Sequence, residues 1–315
     1  MFLVDFLKPA LQNNKILAIA IMKEMINSLK LSADIIKKIR QFFDGQGLCE
    51  VQTPQLLDYP TTDVYIDSIA LQVNKDIGLK SKYLHTSPEL EMKKLLAKGS
   101  GDIYQICQVF RNNEQGAQNF NEFTMLEYYR LGFDIHRLMD DMTDLLKSLG
   151  FTRPATRLSY AQAFSEFADI DILNMDFNDL KKIAKSHDLC SDFEWIEDLQ
   201  ILLFTALCEP KLEEYPLCFI YDYPKSQSAL AKVQGQVARR FEMYMYGDEV
   251  ANGYDELQDA QDYQKCFGLE INKRLVLGKA PVDIDKGFLS NLQNSLPQCS
   301  GVAIGVERLL SNLLK

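Results

Sequence analysis

IYQICQVFRNNEQGAQNFNEFTMLEYYR, residues 103–130, holds two strand-length segments, Ile103 to Phe110 and Phe123 to Arg130, joined by a polar loop that contains Gly116. Each segment mixes apolar and polar residues over a few positions, the pattern of a half-buried strand, and the short loop makes the pair a hairpin. Side chains alternate across a strand, so Glu127 and Tyr129 share one face, where Arg111 can join them. An arginine fork suits phosphate or carboxylate, and a carboxylate beside a tyrosine suits an ammonium group. The competing reading is a surface salt bridge on an edge hairpin, which is common and nearly neutral in energy.

Outward from this hairpin, Leu48 to Val51, Leu217 to Tyr221 and Arg240 to Met245 read as strands, whereas Asp134 to Leu149, Asp179 to Ser186 and Leu199 to Cys208 have helical periodicity. The two kinds of segment do not alternate strictly, which points to an α+β fold with a mainly antiparallel sheet flanked by helices rather than a βαβ repeat. Ile16, Ile19, Ala20, Met22, Ile26 and Leu29 recur at helical spacing, so residues 1–30 read as an N-terminal helical extension. Ser32 is then an expected N-cap for a second helix, with Ile35, Ile36, Ile39, Phe42 and Phe43 on its apolar face and Asp44, Gly45 and Gly47 at its end. With no internal repeat, low-complexity tract or linker, residues 31–315 read as one domain.

A chain of 315 residues that is 47% hydrophobic can bury a sizeable core. Its 44 acidic against 34 basic residues give a net charge of -10, which disfavours a broad nucleic-acid footprint. The seven cysteines, Cys49, Cys107, Cys190, Cys208, Cys218, Cys266 and Cys299, are far apart and form no CxxC pair, so they read as reduced core residues rather than a zinc site or disulfide framework. Ile16 to Met22 is too short to span a bilayer and Met1 to Leu7 lacks a basic n-region, so a cytoplasmic protein is expected. His85, His136 and His187 form no triad or metal-site spacing and read as ordinary core or surface residues.

Two further clusters put charge where a packed core would not want it. Glu242, Glu249 and Glu256, with Asn252 and the aromatics Phe241, Tyr244, Tyr246 and Tyr254, suit a divalent metal and a cationic substrate. Asn252-Gly253 is equally a strong hairpin-turn signal, which would make these acids solvated turn residues. Near the C-terminus, GVAIGVERLL (residues 301–310) has small residues at 301, 303 and 305 that let a ligand approach the backbone, and Arg308 opens a helix where a nucleotide can rest. No GKS or GKT follows it and no GxGxxG fingerprint stands near an early strand, so it is neither a Walker A nor a dinucleotide motif.

Taken in order, these clusters resemble the three signature motifs of class II aminoacyl-tRNA synthetases, in particular the lysyl branch. GLCEVQTP (residues 47–54) looks like motif 1, the hairpin like motif 2 and residues 301–310 like motif 3; the likeness runs from about residue 32 to the end. Thr86-Ser87-Pro88-Glu89 and Glu249-x-x-Asn252-Gly253-x-x-Glu256 are similar to strings of lysine-specific members. Within that branch the chain is more similar to the stand-alone paralogues that load a lysine analogue onto a protein lysine. About 30 residues precede the catalytic helix, so no anticodon-binding OB-fold is expected; Ser87 stands where the tRNA enzymes usually have alanine, and Ala303 where they have the middle glycine of motif 3. The similarity continues through Tyr223-Pro224-x-Ser226-Gln227-x-x-Leu230-Ala231.

That resemblance implies an ATP-dependent ligase that makes an adenylate of (R)-β-lysine or lysine and transfers it to a lysine of elongation factor P, acting as a homodimer. It implies Arg111 on the substrate carboxylate and α-phosphate, Phe123 and Arg308 around the adenine, and Glu242 and Glu249 on Mg2+. Ser87, Glu89, Glu127, Tyr129, Asn252, Glu256 and Ala303 would form the amino-acid pocket, with Tyr129 and Glu256 at the ε-ammonium. The chain departs from the motif 2 pattern: Asn113 stands for a glutamate that accepts from the adenine amino group, and Ala117 and Asn119 for an arginine and a histidine that contact the γ-phosphate. Glu307 replaces an aspartate, and the chain stops at Lys315 where relatives carry a longer tail. The alternatives are a stand-alone lysyl ligase acting on tRNA or a small acceptor, and a paralogue that binds ATP and lysine with weakened catalysis.

Overall fold

The computed structural model of the chain describes residues 15–75, 78–114, 120–292 and 295–315. It opens on a single helix, α1 (Lys15–Gln46). Ser32 lies inside this helix and does not cap a second one. No glycine or proline interrupts the run from Lys15 to Asp44, and serine inside a helix is only mildly unfavourable. Ile35, Ile39 and Phe43 are buried along one stripe of α1, and Gly47, at φ 79°, follows the helix in the left-handed conformation that commonly ends one. The first 14 residues of the expected extension lie outside the described residues.

The chain continues through β1 (Cys49–Glu50), β2 (Leu56–Leu57), β3 (Ala70–Lys75), β4 (Gly78–Leu84), α2 (Glu89–Ala97), β5 (Ile103–Phe110), β6 (Glu122–Leu131) and α3 (Ile135–Ser148). After these come β7 (Thr156–Ser159), α4 (Tyr160–Ala168), α5 (Phe177–Ser186), α6 (Ile196–Leu203), α7 (Glu209–Leu212), β8 (Cys218–Pro224) and β9 (Val233–Gln234). The last elements are β10 (Val237–Met245), β11 (Asp248–Asp255), α8 (Ala260–Val276), α9 (Lys286–Asn291), β12 (Cys299–Gly305) and α10 (Val306–Leu313). Among the described residues, nine strands form one sheet in the order β1-β5-β6-β12-β11-β10-β8-β7, with β9 alongside β10. Only β1 with β5 and β7 with β8 run parallel, so the sheet is mainly antiparallel as expected. A smaller sheet, β2-β4-β3, stands apart from it.

Asn252-Gly253, a turn signal in the sequence, lies within β11, where Asn252 pairs with Glu242 on one side and Ala303 on the other. The hairpin turns instead at Tyr246-Gly247, whose φ values of 50° and 84° suit a primed two-residue turn. Gly253 serves packing: a Cβ there would sit 2.6 Å from the ring of Phe241 and 2.9 Å from the carbonyl of Gly301.

Alternation in the central strands divides their side chains between two faces. Leu126, Tyr128, Val302, Ile304, Phe241 and Met243 join Phe43 and helix α3 in one buried cluster. Between them on β6 and β12, Glu127 and Ala303 line a large cavity. One flank of that cavity is closed by a cluster built on α2, α8 and α9, including Met92, Tyr263, Phe288 and Tyr129. Helices α4 to α6 form a third cluster against β8 and Tyr244. Asp134 caps α3 by accepting from the Arg137 amide at 2.9 Å, which fixes where β6 ends and the helix begins.

All seven cysteines are unpaired, but Cys49 and Cys190 are exposed, so the reading of all seven as core residues holds only for those such as Cys208, Cys218 and Cys299. His85 is a buried residue whose Nε2 meets the carbonyl of Gln108 at 2.7 Å. Among the described residues, no helix is long and apolar enough to cross a membrane.

Candidate active site

Strand register assembles the site. Glu127 pairs with Ala303, Ala303 with Asn252 and Asn252 with Glu242, so one row across four strands carries two carboxylates and an amide with a methyl group between them. Two residues along, Tyr129 pairs with Gly301, Gly301 with Tyr254 and Tyr254 with Arg240. Small residues on β12 leave room between β6 and β11. At Gly301 that room is already filled by protein, since a Cβ would come within 2.3 Å of the Tyr129 ring and 2.7 Å of Glu256 Oε1. At Gly305 nothing lies closer than 3.9 Å. Of the two outer glycines, only Gly305 keeps the open approach expected for a ligand.

The cavity above these rows measures about 1160 Å³. It brings together Ser87, Glu89, Arg111, Phe123, Glu127, Tyr129, Glu249, Asn252, Glu256, Ala303 and Arg308, which are eleven of the fourteen residues singled out in the sequence. That is ample space for a nucleotide and an amino acid side by side. Asn113 is exposed, at φ 61°, and does not line the cavity, whereas its neighbour Glu114 does. Asn119, like Ala117, lies outside the described residues.

At one end the groups are acidic and fixed in place. Tyr129 donates its hydroxyl to Glu127 Oε1 at 2.5 Å, and Ser87 donates to Oε2 at 2.7 Å. The same Ser87 oxygen accepts from the Glu89 amide at 3.0 Å, tying the start of α2 to β6. Glu256 lies at the end of β11 and is almost wholly buried. Burial is the main force raising the carboxyls of Glu127 and Glu256, and the charge of Glu89 adds to it in both. Hydrogen bonds from Tyr129 and Ser87 oppose the rise at Glu127, and Lys93 opposes it at Glu256. Such a group of raised carboxyls suits a cationic guest.

The other end holds the arginines. Arg111 follows β5 with its guanidinium 5.1 Å from the centre of the Phe123 ring. Burial pulls Arg111 below the ordinary arginine value, with Arg308 adding to the pull and Glu114, Asp63 and Glu249 resisting it, and the group stays charged at neutral pH. Arg308, in the first turn of α10, donates to the Glu249 carbonyl at 2.9 Å. Glu307 accepts from the Thr124 amide at 2.9 and 3.0 Å, pinning the start of α10 to β6 beside Phe123.

On the β10–β11 hairpin Glu242 pairs with Asn252 and Glu249 with Tyr244, on either side of an irregularity at Met243/Tyr244. The hydroxyls of Tyr223 and Tyr244 each donate to Glu242 Oε2 at 2.6 Å, while Arg240 pairs with Oε1. Burial and then the charge of Glu242 raise the Glu249 carboxyl, against the pull of Arg308 and Arg240. Two carboxylates crowded in this way favour a divalent cation. Among the described residues, no cluster of three or more metal-type ligands forms. Of the two, Glu249 lines the cavity and Glu242 does not, so a cation held there by one or two carboxylates plus substrate phosphates and water would meet Glu249 first.

Sequence reasoning missed two residues. Arg240 links the halves of the site: it pairs with Glu242, donates to Asn252 Oδ1 at 3.2 Å and to the Gln227 carbonyl at 3.0 Å. With its oxygen so engaged, Asn252 has its amide nitrogen left to donate. Lys93, on α2, lies wholly buried between Glu89 and Glu256. Its signal was a lysine at a core-facing helix position, one turn after a glutamate.

Residues 9–315 match the model of the family described as tRNA synthetases class II (D, K and N). The chain belongs to that family. Among its relatives in this class II synthetase family are proteins of Mannheimia succiniciproducens, 41% identical, and of Histophilus somni and Haemophilus influenzae, each 42% identical, all matched over 90% of both chains. Each of the three is named "Elongation factor P--(R)-beta-lysine ligase".

Proposed function

We propose that the chain is an ATP-dependent amino-acid ligase that activates (R)-β-lysine, or lysine, as an adenylate and passes it to a lysine side chain of elongation factor P. One observation carries this reading: a single cavity has Arg111 and Arg308 at one end and three buried or part-buried carboxylates, Glu89, Glu127 and Glu256, at the other. That polarity matches a molecule with phosphates and a carboxylate at one end and amines at the other. The relatives' names supply the acceptor, and the chain shares 90% of its length and theirs with them.

In the first step the substrate carboxylate attacks the α-phosphorus of ATP; the new bond is an acyl phosphate and pyrophosphate leaves. Arg111 would hold the carboxylate and then the α-phosphate, where negative charge gathers. Phe123 and Arg308 would flank the adenine. Glu242 and Glu249 would hold Mg2+, whose charge neutralises the phosphates. Ser87, Glu89, Glu127, Tyr129, Asn252 and Glu256 would orient the amino acid, and Ala303 would limit its depth. In the second step the acceptor amine attacks the acyl carbon, an amide forms and AMP leaves. No side chain need bond covalently to substrate; the protein supplies position and charge.

Two copies would pair along the motif 1 segment, where β1 lies at the sheet edge with Cys49 and Glu50 exposed. The first half-reaction is tested by ATP–pyrophosphate exchange with lysine and with (R)-β-lysine. Exchange with one or both is expected, and exchange with neither would refute the ligase reading.

A further inference from the structure

Behind the acidic end of the cavity sits a cation that neither step of the reaction uses. Lys93 has no solvent exposure, and its Nζ lies 2.5 Å from Glu89 Oε1 and 2.5 Å from Glu256 Oε2. Glu89, Glu127 and Glu256 line the cavity, and Lys93 does not. It reaches its partners from within the core, with the Tyr263 ring 5.2 Å from Nζ. Its neighbours on the buried side of α2 are Met92 and Leu96, so packing alone would favour an apolar side chain here. An ammonium in such a place carries a large desolvation penalty unless paired, and replacing a buried ion pair with apolar groups is often neutral or stabilising. Fold stability is thus a poor reason for Lys93.

Charge is a better one. The cluster holds three carboxylates and one ammonium, a deficit of two positive charges when all are ionised. Facing it are also the hydroxyls of Tyr129, Tyr254 and Tyr263 and the thiol of Cys299, which burial raises and keeps neutral. The nearby cation Arg240 is paired with Glu242, and Lys232 and Asp102 act on Cys299 from outside the cluster. Glu270 on α8 stands farther along the cavity wall, accepts from Thr62 at 2.5 Å and is itself raised by burial and by Asp63 and Glu89.

We propose that Lys93 is a positioning residue that clamps Glu89 to Glu256 and sets the residual charge of the pocket at two, so that only a guest with two ammonium groups neutralises it. This rests on the reading of the acidic end as the amino-acid pocket. A guest with one ammonium leaves a buried carboxylate either charged without a partner or protonated, and both outcomes weaken binding. The specificity is therefore for diamino acids as a class, with the fixed Lys93 taking the place of a third guest cation.

The test begins with the wild-type chain, which needs no turnover. Calorimetric titration near pH 7 in two buffers of different ionisation enthalpy measures the protons exchanged on binding lysine and norleucine, which lacks the ε-amine. Lysine is expected to drive protons off the raised carboxyls and to bind at least about a hundredfold more tightly than norleucine. Equal binding of the two, or lysine binding without proton release, overturns the proposal. Lys93→Met, if it folds, should raise the KM for lysine about tenfold or more at pH 7, as the carboxyls take up further protons, with recovery as pH rises. The KM for ATP should stay as it was, and Lys93→Arg should restore the wild-type pH profile. A folded Lys93→Met with an unchanged lysine profile, or with both KM values rising together, overturns the proposal. If Lys93→Met does not fold, Lys93→Gln takes its place under the same outcomes. Lysine bound with proton release by a chain that makes no adenylate would keep this inference while rejecting the ligase reading.

Discussion

Tyr129 donates its hydroxyl to Glu127 at 2.5 Å across two positions of the same strand, so the sheet itself supplies one wall of the cavity. Removing that hydroxyl with Tyr129→Phe leaves the packing in place but strips a donor from a carboxylate that is 2% exposed. A loss of about 1–3 kcal/mol of stability is expected, read by denaturant unfolding, together with a higher KM for the amino acid and little change for ATP. Unchanged stability and KM would show that Glu127 does not depend on this bond.

Arg111→Ala should reduce adenylate formation by a factor of about 10² to 10³, the loss seen when a preorganised charge-stabilising donor is removed. Pyrophosphate exchange measures it, and circular dichroism checks the fold. Near-normal exchange would remove Arg111 from its assigned role.

Ala303 stands in register between Glu127 and Asn252 and lines the cavity. Ala303→Gly opens space for one methyl group, a difference that typically changes discrimination by about 10-fold or more. The expected direction is a shift of kcat/KM toward α-lysine relative to (R)-β-lysine. A ratio that stays constant would show that the selection lies elsewhere.

The same pocket predicts how the chain's stability varies with pH. Burial raises Glu127 to about 7 and Glu256 to about 8 from the ordinary 4.5. The folded chain thus holds these protons more tightly than the unfolded chain does. This contribution is complete below pH 4.5 and is lost as pH rises through the two raised values. The melting temperature without ligand should therefore fall between about pH 5 and about pH 8, and Glu127→Gln should flatten part of that fall. Added lysine should restore stability most at the alkaline end. A flat profile for the wild-type chain would contradict the raised carboxyls.

Much of the fold and site is legible in the sequence because β-strand periodicity is local. Residues 103–110 and 123–130 form the hairpin nearly residue for residue, and alternation alone puts Glu127 and Tyr129 on one face. What failed depended on neighbours distant in sequence. Asn252-Gly253 has the chemistry of a turn, yet Gly253 is needed for the Phe241 ring, which only the pairing of β10 with β11 reveals. Ser32 has the chemistry of a cap, but the helix on either side carries no breaker. Arg240 looks like an ordinary surface charge in sequence and Lys93 carries only a weak signal, and the packing of β10 and α2 makes them partners of Glu242, Asn252, Glu89 and Glu256.

The central claim is that one cavity first makes a lysine-type adenylate and then passes it to a protein lysine. Its most direct test is to incubate the purified chain with ATP, Mg2+, (R)-β-lysine and elongation factor P and to weigh the acceptor by mass spectrometry. The account predicts a gain of one lysyl unit on a single lysine of elongation factor P, absent with Arg111→Ala. Pyrophosphate exchange without any gain in acceptor mass, accompanied by charging of tRNA, would contradict it.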